Sequence, residues 1–425
     1  MKIRVGSLLL LVYASAFLIL NFSCSSTGDI QNQNLSYLYR KDKLHFNIRF
    51  NVWHFSADSS QLFVLLDPKE FLYKRSDDFF TAEVSVAYRL VESYENPVMI
   101  DSSSRKFILQ KKENPLQVAV SLDFRSNRQM EMLLECKITD LNKNVSDIFY
   151  VNVDRSVDQS RNYFRVTPLN EEVPLFTYRL SAKDSFTIVH MDTSLEDFNV
   201  NYYNRNFPLA APPFSFDHHE SFNYRPDSIF KITIGPEEAL NFQDEGFYHI
   251  QKDTTIKPGL TLFRFHPDFP ELTSPEQLLE PIRYLTTRKE FDEMKSNKDL
   301  KNAVDKFWLD TGGNPERTRY LIKKYYSRVQ FANENFTSYQ EGWRTDRGMI
   351  YIIFGPPHMV YRSSKAEVWI YGEASAALSL NFSFIKVINP FTDNDFTLSR
   401  APVYEVNWYR AVDMWRQGRV YNDFD

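Results

Sequence analysis

Two cysteines, a histidine pair and a histidine beside a double proline are the reactive side chains to weigh first in this chain. Cys24 follows Lys2, Arg4, an apolar run from Val5 to Leu20 and the stretch Asn21-Phe22-Ser23. A charged start and an apolar run shorter than the roughly 20 residues of a membrane-spanning helix give the layout of a signal peptide. Cleavage before Cys24 would expose its thiol for acylation. The usual lipobox leucine is displaced by one, to Leu20, so an uncleaved anchor helix and plain secretion stay open beside lipidation.

With Cys24 taken by lipid, Cys136 has no disulfide partner. In Met132-Leu133-Leu134-Glu135-Cys136-Lys137-Ile138 the even-numbered positions are apolar, which points the thiol into a core as a small inert hydrophobe. Asp217-His218-His219-Glu220 is the densest set of potential metal ligands. Adjacent histidines in extended backbone face opposite ways, so no metal is expected there. His358, after Gly355-Pro356-Pro357, could serve as a base beside Asp346, but the sequence places no nucleophile with them. Phosphate-loop and Gly-x-Ser-x-Gly patterns are missing, and 12 glycines in 425 residues leave little from which to build a cofactor loop. No catalytic set and no cofactor is expected.

Hydrophobic residues at 43% and charged residues at 25% describe globular protein, and the length allows two to three domains. Without Lys2 and Arg4 the formal charge falls from -5 to -7, so no basic face for nucleic acid is implied. Aromatics reach 16%, which points to β cores and packing between domains before it points to a ligand platform.

The elements that must position these residues fall into three blocks behind a signal peptide (1–23) and a lipidated tether (24–43). Within the tether, Ser25 to Asn34 is small and polar and reads as flexible. Residues 44–155 carry seven short β runs, at His45–Phe55, Leu62–Leu66, Phe79–Leu90, Pro97–Ile100, Leu116–Phe124, Glu131–Thr139 and Asp147–Val153, which predict one antiparallel β-sandwich. Residues 156–266 predict a smaller β domain, with strands at Phe186–His190, Ile229–Ile234, Phe247–Gln251 and Thr261–Phe265 broken by prolines. In residues 267–425, Ser274-Pro275-Glu276-Gln277 is a capping box that opens a helix cut short by Pro281. A second helix carries Leu300, Val304, Phe307 and Trp308 and stops at Gly312-Gly313. A third opens at Asn314-Pro315 and aligns Leu321, Tyr325, Val329, Ala332 and Phe336 in one stripe. The six apolar residues Met349 to Phe354 predict a strand covered on both faces. Further strands are expected at Glu367–Tyr371, Leu378–Val387, Phe396–Arg400 and Tyr404–Tyr409. The fold class is multidomain, mainly β plus α+β, ending in helices packed on a β-meander.

Glu341-Gly342-Trp343-Arg344-Thr345-Asp346-Arg347-Gly348, followed by Tyr351-Ile352-Ile353-Phe354-Gly355-Pro356-Pro357, resembles the signature of the GWxTD domain family of bacterial envelope lipoproteins. Phe307-Trp308, Tyr325-Tyr326-Ser327-Arg328-Val329 and Glu367-Val368-Trp369-Ile370-Tyr371 agree with it, so the resemblance spans about Leu285 to Val420. It implies an envelope address and a fold, and implies no activity. Within it, Asp346-Arg347-Gly348 suits a tight turn. Gly342 to Gly348 then form either a fold-defining corner or a partner-binding surface, in which an exposed Trp343 between two arginines is the hot spot. Burial of Trp343 decides between the two.

The expected function is a lipid-anchored, non-enzymatic adaptor bound to the outer membrane, with the periplasmic face favoured, acting on envelope protein partners in membrane assembly, secretion or surface organisation. The alternatives are a glycan-binding lipoprotein and a hydrolase with its site near the Gly-Pro-Pro turn.

Overall fold

A computed structural model describes residues 29–422 apart from 77–78, 114, 127–128, 170, 182–184, 195, 216–221 and 373–378. Cys24 and the cluster at 217–220 lie outside the described residues.

The first block is a sandwich of β1 (Arg49–His54), β2 (Ser59–Leu66), β3 (Lys74–Ser76), β4 (Phe79–Val91), β5 (Met99–Gln110), β6 (Val118–Arg125), β7 (Glu131–Asp140) and β8 (Val145–Asp154). One sheet has the order β1-β2-β6; in the other, β4 pairs with β3 and β5 and, through β7, leads to β8. Period-two alternation turns Ala82, Val84, Val86, Tyr88 and Leu90 of β4 inward, against Leu62, Val64, Leu66 and Leu122 of the facing sheet. All seven expected strands are present. β5 runs on to Gln110, far past the Pro97–Ile100 reading, through Ser102-Ser103-Ser104-Arg105-Lys106. It is an edge strand with an exposed face, so ladder hydrogen bonds hold it where no apolar pattern marks it. Cys136 is buried in this core, and burial pushes its thiol pKa up, away from reactivity.

The second block also packs two sheets. β9 (Phe164–Pro168), β10 (Phe186–His190), β11 (Asp197–Tyr203), β12 (Ser228–Thr233), β13 (Gly235–Leu240), β14 (Gly246–Gln251) and β15 (Leu260–Arg264) arrange as β13-β10-β9 and β12-β11-β14-β15. Phe164, Phe186, Ile188, Phe198, Val200 and Ile250 fill the space between them.

In the C-terminal block β16 (Met359–Arg362), β17 (Ala366–Tyr371), β18 (Leu380–Lys386) and β19 (Phe396–Leu398) form a meander. Helices Pro275–Ile282, Arg288–Lys295, Leu300–Gly312 and the long Pro315–Asn335 pack with it. Ser274 and Gln277 cap each other, and Gly313 closes its helix at φ 71°. The stripe Leu321, Tyr325, Val329, Ala332 and Phe336 is fully buried. Helix Arg288–Lys295 was not expected, although its own capping box, Thr287 with Glu290, stands in the sequence.

Four expectations are corrected. Met349 to Phe354 is no strand: Asp346–Phe354 is a helix, and all nine of its residues are buried. A short apolar run says only that every side is covered, which a helix enclosed by other elements satisfies as well as a central strand. Asp346-Arg347-Gly348 is accordingly the first turn of this helix and no tight turn. Tyr404–Tyr409 likewise falls mostly in the C-terminal helix Glu405–Arg416, which buries Trp408, Ala411, Val412 and Trp415 on one face. The tether is not free past residue 29. Ile30, Leu35 and Tyr39 are buried in the C-terminal core together with Val91, Tyr94 and Leu133 of the sandwich. Backbone bonds fix the segment on both sides, from Gln31 N to Tyr94 O at 3.1 Å and from Leu35 N to Val360 O at 2.8 Å. Residues 30–40 are thus a strap joining the first and last blocks.

Ile30→Ala or Leu35→Ala is expected to lower unfolding stability by about 2–4 kcal/mol, the range for emptying a buried aliphatic site. Urea titration checks this, and an unchanged midpoint would return the segment to the status of a passive spacer.

Candidate functional site

The signature residues sit where the long helix turns back into the buried one. Gly342–Arg344 is a single 3-10 turn, and a Cβ on Gly342 would stand 1.9 Å from the carbonyl oxygen of Ala332, so only glycine lets the two backbones touch. Gly348 answers it one turn on: its Cβ would lie 1.9 Å from Gly342 O. Trp343 is 1% exposed; its backbone N–H donates to Asn333 Oδ1 at 3.1 Å and its carbonyl accepts from Tyr284 OH at 3.0 Å. This overturns the surface reading, since a side chain sealed in a core meets no partner. Thr345 is the N-cap, its hydroxyl accepting from Gly348 N at 3.1 Å and donating to Gly342 O at 2.7 Å.

Each charge in the motif is answered inside the fold. The Arg344 guanidinium lies over Trp343 and donates to Glu341 at 2.7 Å, while Asp346, buried, accepts from Leu398 N at 2.7 Å and from Arg400 at 3.0 Å. Arg400 also reaches Ala211 O at 3.1 Å, and Arg344 O accepts from Ala210 N at 3.1 Å, so a loop of the second β block is fastened onto the motif. Arg347 lies 4.0 Å over the Phe396 ring and donates to Glu367 at 3.2 Å.

Glu367 is the centre of this wiring. Its carboxylate accepts from Tyr39 OH at 2.7 Å and Trp369 Nε1 at 3.1 Å, and it lies 3.2 Å from Arg347 and from Arg362. Burial alone would raise its pKa; Arg362 and Arg347 outweigh burial and hold it below the usual carboxylate range. Arg362 donates in turn to Tyr39 OH. No sequence pattern singled out Tyr39 or Arg362, because the cluster assembles from segments more than three hundred residues apart. Near it, half-buried Asp395 is pushed up to about 6, by burial first and by Asp346, with Arg347 only partly offsetting them.

The structure does not bring Asp346 and His358 together. They lie at opposite ends of helix Asp346–Phe354, and His358 Nδ1 accepts from Gly372 N at 3.0 Å. Among the described residues no group of three His, Cys, Asp or Glu is placed to hold a metal. Of six tryptophans, Trp308, Trp343, Trp369, Trp408 and Trp415 are buried, and Arg165 lies over the half-buried Trp53, so tryptophan builds no exposed stacking face.

A profile of the GWxTD domain matches residues 246–417. This is a GWxTD domain-containing protein. No curated protein is similar enough to the chain to count as a match. The match begins at β14, well upstream of the Leu285 at which the resemblance became legible. Aromatic packing accounts for the earlier start: Phe247 of β14 lies 4.9 Å from Phe391, with Tyr203 5.4 Å from the same ring, so β14 shares a core with the GWxTD domain.

Glu367→Gln should cost about 3–5 kcal/mol, because Arg347 and Arg362 keep their charges in a buried site that has lost its counter-charge; a loss below about 1 kcal/mol in urea unfolding would refute that account. Asp395 has the opposite sign. Its folded pKa lies above the unfolded value, so the folded state binds the extra proton and stability falls as pH rises from about 4 to about 6. Asp395→Asn is therefore expected to raise the melting temperature at pH 7.5 and to do so progressively less at pH 5 and pH 4.

Proposed function

We propose that this GWxTD protein is a lipid-anchored, non-enzymatic component of the bacterial envelope that acts as a protein-interaction adaptor at the outer membrane, on its periplasmic face. The signal-like N-terminus and Cys24 support the anchor. Five residues separate Cys24 from Ile30, six steps with a reach of at most about 20 Å, so an acylated Cys24 holds the strap, and the body it fastens, close to the bilayer.

The observation that carries the adaptor reading is β5. This twelve-residue strand has one edge paired to β4, with Ile108 68% exposed and Met99 59% exposed on it. Leu116, just beyond it, is also exposed, as is Phe79 on β4. Among the described residues its other edge is unpaired, and such an edge beside apolar side chains suits an added strand from a partner, with main-chain bonds giving affinity and the apolar residues giving register. The motif itself contributes rigidity to this reading and no contact surface.

Two measurements test it. Cys24→Ala should move the protein from the detergent phase to the aqueous phase on phase separation, whereas an uncleaved anchor helix would keep it in detergent. A photo-crosslinking residue at Ile108 should capture a defined envelope protein in intact cells, identified by mass spectrometry, and the same residue at Lys324 on the GWxTD domain should not. Equal, diffuse labelling from both positions would refute the role given to β5.

A further inference from the structure

A cavity of about 1090 Å³ lies where the sandwich, the second β block, the strap and the GWxTD domain meet. Its acidic walls are mostly matched internally. Glu367 is held by Arg347 and Arg362, Asp393 accepts from Arg161 at 2.8 Å, and Glu334 pairs with Lys41 at 2.8 Å. Glu131 faces Lys386 at 3.9 Å; Glu70 accepts from Asn47 N at 2.8 Å and Glu92 from Asn96.

Two cations in the wall lack such a match. The segment Tyr178 to Leu180 runs beside β15, with Phe263 N donating to Tyr178 O and Leu180 N to Phe263 O, both at 2.8 Å, and this places Arg179 at the cavity. Among the described residues its guanidinium reaches only the carbonyls of Asn333 and Glu334, at 3.5 and 3.4 Å, and lies 5.2 Å over the Phe269 ring. Arg49, at the start of β1, lines the same cavity, and its charge opposes that of Arg179. Burial and Arg49 together lower the Arg179 pKa to about 10, with Glu334 opposing them. Neither arginine has a carboxylate within ion-pair distance among the described residues. Two neighbouring guanidiniums, one of them desolvated, are stabilised by an anion that both can fork onto.

We propose that this inter-domain cavity binds a small anionic ligand, its carboxylate or phosphate group held between Arg49 and Arg179 and its body against Phe269. This stands apart from the adaptor reading, because β5 plays no part in it.

Titration calorimetry on the full chain tests it, with sodium phosphate and sodium succinate as probes against sodium chloride at matched ionic strength. One probe or both should give saturable binding and raise the melting temperature. Phosphate alone would mark a phosphoryl ligand, and succinate alone a carboxylate. Arg179→Met and Arg49→Met should each weaken binding at least about tenfold, the effect of losing one hydrogen bond to a charged group. Arg49 is an exposed strand residue, so its variant keeps the test decisive if the Arg179 variant folds poorly. Arg105→Met on β5 should leave affinity unchanged. The absence of saturable binding with either probe, or equal affinity in wild type and Arg49→Met, would overturn the proposal.

Discussion

A helix with no side facing water must have its unpaired backbone ends satisfied by the protein itself, four N–H groups at one end and four carbonyls at the other. Helix Asp346–Phe354 is under that constraint, and the surrounding sequence answers it at both ends. Thr345 takes the Gly348 N–H, and Asp346 adds negative charge at the positive end of the helix dipole. At the far end Arg328 donates to Ile352 O at 3.2 Å, Trp415 Nε1 to Ile353 O at 3.0 Å and Tyr371 OH to Gly355 O at 2.8 Å. Gly355 closes the helix at φ 79°, and a Cβ there would sit 2.6 Å from the Arg328 guanidinium. The Gly-Trp-x-Thr-Asp signature and the Gly-Pro-Pro turn are therefore the two seals of one buried element.

Glu367 imposes a second constraint, coupled to the first. A buried carboxylate is tolerated only when its lone pairs are filled and its charge is matched. The four groups around it come from the strap, the motif helix, β16 and β17. Tyr39 further binds the motif helix through its carbonyl, which accepts from Tyr351 OH at 3.1 Å. Strap, motif and meander therefore share one electrostatic joint, and loosening any of them exposes a charge in the other two.

The sequence made the local features legible where the chain answers to its own neighbours. The sandwich strands carry period-two patterns, the long helix carries its stripe, and Ser274 and Asn314 announce helix starts. Two things escaped for a common reason, that burial is decided by remote segments. The run Met349 to Phe354 is equally apolar as strand or helix, and only the enclosing elements choose. Ile30, Leu35 and Tyr39 are spaced too widely among polar residues to show as an element, yet each fills a pocket made by distant chain. β5 escaped for a different reason: Ser102 to Lys106 are exposed on both faces of the strand, so no burial pattern marks it. As for the site, the motif residues were identified, but the direction in which Trp343 points was not, since a tryptophan flanked by arginines has the same composition inside a corner as on a hot spot.

A signature of this kind marks what the fold cannot do without, and here that is self-satisfaction of a buried helix. Thr345, Asp346 and Arg347 spend their hydrogen-bonding and charge capacity inward, and the Trp343 ring is sealed in the core. The motif therefore carries little information about what the protein binds. The proposed binding features, the β5 edge and the pair Arg49 and Arg179, draw on other groups. β5 belongs to the sandwich, and Arg49 and Arg179 reach the cavity from β1 and the second β block, all outside the matched span of residues 246–417. In this chain the groups that seal the joint are therefore separate from those proposed to meet a ligand or a partner.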